Sequence, residues 1–153
     1  MKRIEVKLAL PVVAPLLDVV RELAEDLRRN LAAPLAVDDL EAEDRGAWVD
    51  ELLATQNEEV RTLLALFDDE FFAEGVVAFD EDNAEVIVRA CAAIRLRLRL
   101  HYLAGLGDET LESSNVDLQT LPEPLRRAFM CYLFLATIQE LIIQHLDSSI
   151  LES

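Results

Sequence analysis

Residues 94–100 read Ile94-Arg95-Leu96-Arg97-Leu98-Arg99-Leu100, a strict alternation of apolar and charged side chains. By period alone this is a half-buried strand. By residue type it is a helix. Leu and Arg are strong helix formers, no Gly or Pro interrupts the chain between Ala84 and Leu103, and Gly105 suits the left-handed position that ends many helices. The helical reading prevails and spans 83–104. At 100° per residue it places Arg95 and Arg99 on one stripe and Arg97 and His101 on another.

The flanking sequence agrees with a mainly α fold. Downstream, Pro122 and Pro124 mark a helix start. From Leu125 to about Asp147 the pattern is apolar on every side at first, then carries a narrow polar stripe of Thr137, Glu140, Gln144 and Asp147. Such a helix is expected to be surrounded by protein, as the centre of the domain or as half of a dimer interface. Upstream, Trp48, Val49, Leu52, Leu53, Gln56, Val60, Leu63, Leu64 and Phe67 form one broad helical face, with Asp44 placed to cap it. Leu16, Val20, Leu23, Leu27 and Leu31 mark another helix, entered through Pro11 and Pro15 and stopped by Pro34. A short helical turn over 68–74 ends at Gly75, and Asp82 with Glu85 has capping-box spacing, Asp80 being the alternative cap.

Two short segments read as strands. Ile4, Val6, Leu8 and Leu10 alternate with other residues, and Val76 to Phe79 is rich in β-branched side chains. Each needs a partner for its backbone groups, so residues near 3–10 are expected to pair with residues near 75–79, Val6 and Val77 facing the helices. The expectation is a single helical domain over 1–153. It is a bundle around a long central helix and an apolar C-terminal helix, with at most a small two-stranded β element.

Charge is distributed unevenly. Residues 36–88 hold 17 Asp/Glu against Arg45 and Arg61, a net −15 out of −16 for the whole chain. With 52% hydrophobic residues and only 4 Gly, the chain is a packed globule and not a disordered acidic segment. The acidic total, with 12 Arg and only Lys2 and Lys7, disfavours nucleic acid as a partner. No signal peptide is expected at Met1-Lys2-Arg3, because Glu5 and Lys7 break the following apolar run. No membrane span is expected, since the longest apolar run, Ala128 to Ala136, is nine residues. Cys91 and Cys131 stand singly in apolar helical patterns and read as buried thiols in a reducing cytoplasm.

Tests for chemistry return little. Asp80-Glu81-Asp82-Asn83-Ala84-Glu85 begins like a calcium loop but lacks its fifth ligand and its Gly. No Glu-x-x-His pair, Gly-x-Ser-x-Gly, phosphate-binding loop or dinucleotide fingerprint occurs, so neither a metal, a cofactor nor a catalytic residue is assigned. His101 and His145 are each alone on a helix and read as partly buried or interface residues. Arg95, Arg99 and His101 form the one candidate anion-binding group, against the plainer reading that the arginines neutralise the protein's own acids.

Ala90, Ile94-Arg95-Leu96 and Ile138-Gln139-Glu140-Leu141 resemble the two motifs of an uncharacterised bacterial helical domain family, best known from actinobacteria. The family pattern is roughly Ala-Leu-Asn-Asp-Leu-Arg-Leu, then Leu-Gln-Glu-Ala. Ala92 and Ala93 depart from its polar pair, and Arg99 stands where Gly is usual. The resemblance implies a cytoplasmic helical domain of unknown function. Genes of that family often lie beside a protease adaptor, which hints at regulation or protein turnover.

The functional expectation is therefore a non-enzymatic interaction or regulatory protein that self-associates, as a homodimer, or binds a protein partner. Met130, Phe134, Leu135, Ile138 and Ile142 form its expected interface, being a wider apolar girdle than one neighbouring helix covers. The alternatives are an acidic decoy or partner for a basic protein surface, and a small-anion binder using the arginine stripe. Within the fold, Arg95 and Glu140 are expected to form a buried ion pair between the two most apolar helices.

Overall fold

The computed structural model describes residues 3–32, 42–103 and 120–146, without the side chains of 42–45. The expected helix stop at Pro34, the acidic connection before residue 42, Gly105, and the loop through Gly107 and Asn115 lie outside the described residues, as does Asp147.

Element order is β1 (Arg3–Lys7), α1 (Leu10–Leu27), α2 (Ala42–Ala65), α3 (Asp69–Glu74), β2 (Val76–Asp80), α4 (Ala84–His101) and α5 (Glu123–His145). The alternating 94–100 stretch is helical, and its buried positions explain why. Ile87, Ala90, Cys91, Ile94 and Leu98 bury a 3.6-residue face, so the period-two alternation is incidental to the packing. α4 packs against both α2 and α5, while α1 packs chiefly against α5. One cluster of buried side chains unites these helices with the ribbon.

The strands form a two-stranded antiparallel ribbon in which Val6 stands opposite Val77 and Ile4 opposite Phe79. Val77 and Phe79 are buried, and Ile4 and Val6 pack against the core, so the apolar face of the ribbon covers the helices as its alternation requires. Gly75 ends α3 with φ 75° and accepts at its carbonyl a 2.7 Å hydrogen bond from Leu8 N–H. A left-handed residue that terminates a helix this closely against another strand is a natural place for Gly. Asp68 opens α3, its carboxylate accepting from Phe71 N–H at 2.9 Å.

Several boundaries differ from the sequence reading. α1 begins earlier, at Leu10, and ends at Leu27, so Leu31 lies beyond the helix. α2 begins at Ala42, which puts Asp44 inside it and not at its cap. Asp82 and Glu85 do not form a capping box. The Asp80 carboxylate accepts from the backbone N–H of Asp82 (2.9 Å) and Asn83 (3.0 Å), while the Asn83 side chain accepts from Asp80 N–H at 2.9 Å. The turn is locked by side chains close in sequence, and Glu85 is left to bond Arg89.

Gln56 explains how α1 ends inside the protein. Its amide nitrogen donates to the carbonyls of Leu27 (2.8 Å) and Asn30 (3.0 Å), and its oxygen accepts from Ala32 N–H at 3.0 Å. The last carbonyls of a helix have no partner within it; this α2 side chain satisfies that of Leu27, the final residue of α1.

Candidate functional site

α2 and α4 run antiparallel. Arg89 Nε meets the Glu59 carboxylate at 2.5 Å, and Leu52 and Leu96, each about two turns away, line the same groove. Between the helices lies an open apolar groove of about 350 Å³, walled by Leu52, Thr55 and Leu96 and floored in part by Leu31, Ala32 and Val60. Its cause is in the sequence. Ala90, Ala92 and Ala93 line it, where larger residues on α4 would close the space against α2. Glu59 and Glu85 both bond Arg89 at the α4 N-terminal end of the groove, and the Glu59 hydrogen bond, foremost, holds that guanidinium firmly charged.

One turn beyond the groove's lining residues at its other end stand exposed apolar side chains. Trp48, 53% exposed, lies one turn before Leu52 on the same stripe, and Leu100, 46% exposed, lies one turn after Leu96. Because the helices are antiparallel, Trp48 and Leu100 mark the same end. Spacing puts Trp48 on the broad apolar face of α2, and the structure leaves it at the solvent edge of that face. The signal that could have found this surface was the run of alanines at 90, 92 and 93 opposite a stripe carrying the chain's one Trp.

On the other flank of α4, Arg95 and Arg99 line a smaller cleft of about 200 Å³ with Ala92, Leu96 and Tyr132. Arg95 does not pair with Glu140. Its guanidinium lies over the Tyr132 ring at 4.3 Å and donates to Gln139 Oε1 at 2.7 Å, and Gln139 Nε2 donates in turn to Val88 carbonyl at 2.9 Å. Glu140 is exposed and accepts from Gln144 instead. One residue is 100° on a helix, which here separates the buried face from solvent. The Ile94–Leu96 and Ile138–Leu141 stretches are thus joined directly, through Arg95 and Gln139. The buried Nε of Arg95 has no hydrogen-bond partner among the described residues.

His101 does not join this cleft. It is exposed, as is His145, and it lies on the flank where Arg97 Nε meets the Asp26 carboxylate of α1 at 2.5 Å. The candidate group of Arg95, Arg99 and His101 therefore splits between two faces of α4. The Arg97 hydrogen bond, helped by the charges of Arg97 and His101, holds the Asp26 carboxyl below its ordinary 3.8. A carboxyl depressed by folding adds stability above its unfolded value, and that contribution is lost as pH falls through the lower folded value. Asp26→Asn should accordingly lower the free energy of unfolding in urea at pH 6, by at most about 1 kcal/mol because solvent screens the pair. The difference from the parent should shrink as pH falls below 3.8. A difference that is constant with pH would assign Asp26 no such role.

Three of the five expected interface residues are core residues. Leu135, Ile138 and Ile142 are at most 2% exposed, covered by the chain's own helices. Met130 and Phe134 remain half-buried. α5 is long and apolar enough to cross a membrane by length and composition, and one face of it forms core here.

Cys91 and Cys131 are buried, and burial pushes both thiols up to about 12. The thiolate is the reactive and metal-binding form, so neither side chain is poised for nucleophilic work. Among the described residues no three His, Cys, Asp or Glu side chains gather to hold a metal ion. The Asp80 carboxylate of the calcium-like stretch bonds its own turn. No family model matches the chain, and neither a curated protein nor a solved structure matches it.

Proposed function

We propose that the chain is a non-enzymatic, cytoplasmic interaction protein with a regulatory role, acting by binding other polypeptides. The observation that carries this reading is the open apolar groove between α2 and α4, with exposed Trp48 and Leu100 one helical turn beyond its lining residues Leu52 and Leu96. Single exposed apolar residues are ordinary on protein surfaces, but a Trp and a Leu extending one apolar depression are the composition of an interface core. The resemblance to the bacterial family, whose genes often neighbour a protease adaptor, fits a role in regulation or turnover.

Self-association is the second part of the reading, and it rests on α5. Met130, Leu133, Phe134 and Leu141 lie along its outer side and are all half-buried. α5 itself carries Arg126 and Arg127 against Glu123 and Glu140, so two copies meeting here avoid the repulsion that the acidic middle would impose. Light scattering on the whole chain at micromolar concentration should give about twice 17.2 kDa, with the dimer favoured by added salt as screening weakens repulsion between copies. Phe134→Asp should return the mass to that of one chain. A mass of 17.2 kDa for the parent up to the highest soluble concentration would remove self-association.

A further inference from the structure

We infer that the groove between α2 and α4 is the docking site for a basic amphipathic helix of a partner protein. Apolar side chains of that helix sit between Leu52 and Leu96, and its Lys or Arg side chains face Glu51 and Glu58. This rests on the interaction reading and names the surface and the chemistry of its occupant.

The shape argues for a helix. The apolar strip runs along α2 from Trp48 to the level of Glu59, roughly 16 Å at 1.5 Å per residue. That is about three turns, the span over which a docked helix presents anchors at i, i+3 or i+4, and i+7. The groove alone, at about 350 Å³, is the size of a small-molecule site. The exposed Trp48 and Leu100 extend the apolar strip beyond it at one end, which suits a longer occupant.

Charge decides the sign of the occupant. Glu51 and Glu58 are exposed and stand at i−4 and i+3 to the groove-lining Thr55, on the solvent side of α2, and Glu58 meets the exposed Arg61 at 3.4 Å. Arg89, the cation nearest the groove, is shared between Glu59 and Glu85. Arg97 is taken up by Asp26 on the α1 side, and Arg99 lies in the cleft on the opposite flank of α4. The rim is thus net negative within a chain of charge −16. A second copy, at net charge −16, brings no excess of cations to Glu51 and Glu58, whereas a basic helix is attracted, oriented and anchored by them.

The probe is a synthetic 18-residue peptide of Leu and Lys with leucines at i, i+3, i+4 and i+7, titrated into the full chain. Trp48 is the chain's single Trp, so its fluorescence reports this end of the groove alone, and the amide signals of Ala92 and Ala93 report the α4 side. Binding should change all three and weaken steeply with salt. It should fall by about tenfold or more in Trp48→Ala, whose exposed side chain the fold does not need. Ala93→Phe, which fills the groove, should have the same effect, with circular dichroism showing that the helices are kept. The Leu→Ala version of the peptide should lose binding to a similar degree. If that version binds as well as the parent peptide, or if both protein variants bind unchanged, attraction is by charge alone and the proposal is overturned. It is also overturned if a Leu/Glu peptide binds equally, or if Trp48 senses only a second copy of the chain. No binding at millimolar peptide overturns the groove as well, while the α5 dimer stands or falls by light scattering.

Discussion

Phe71→Ala is expected to cost about 3–5 kcal/mol, as large a loss as any single substitution in the chain should cause. Phe71 is fully buried although it sits in α3, a helix of six residues that could not persist alone. Its ring meets Phe67 edge-on at 5.1 Å between centroids, and Phe67 lies 6.3 Å from Phe134. The rings connect the end of α2, the short helix and α5, so truncation leaves a cavity that no neighbouring element can collapse to fill. Phe72, half in solvent beside Arg21, is the internal comparison, and its removal should cost about 1 kcal/mol or less. Urea unfolding followed by far-ultraviolet dichroism measures both. Equal losses at the two positions would mean that α3 is not anchored through Phe71.

The second large effect belongs to Gln139. Gln139→Leu should destabilise by about 1.5–3 kcal/mol, the range for losing a hydrogen bond to a charged group. Arg95 would keep its place over Tyr132 with no acceptor in reach of its fork. Combining it with Arg95→Met should recover most of that loss, because the double variant removes the desolvated cation together with its partner. Recovery could exceed the parent, since Arg95→Met also removes an Nε that is already buried without a partner among the described residues. Losses that simply add in the double variant would show that the two side chains act independently.

The elements were largely legible in the sequence because their signals are local. Proline starts, the apolar periodicity of α4, the Gly75 stop and the paired β-branched runs each follow from neighbours a few residues away. What escaped depended on angular position within a correctly read helix. Gln139 and Glu140 differ by one residue, yet one is half-buried against Arg95 and the other faces solvent. Leu135, Ile138 and Ile142 formed an apolar girdle too wide for one neighbour, but α1 and α4 both contribute cover. The groove was hidden for a related reason. It arises from what Ala90, Ala92 and Ala93 leave unfilled opposite α2, and a pattern of apolar residues records what is present at each position, not the distance to the element across from it. Trp48 shows the same limit, since periodicity assigns a helical face but not the point at which that face leaves the core.

The pairing of distant parts of the chain has a consequence for biosynthesis. α1 is complete early, but the helix it chiefly packs against, α5, is made after every other described element, and β1 waits for β2 on the far side of α3. At about 5–20 residues per second of synthesis, the apolar stripe of Leu16, Val20 and Leu23 spends on the order of ten seconds without that cover. During that interval Pro11 and Pro15 stiffen its entry, and the charges of Asp18, Arg21, Glu22 and Glu25 keep one side soluble. A nascent chain halted before α5 should therefore be the form most often held by chaperones, and release should coincide with the emergence of residues 123–145.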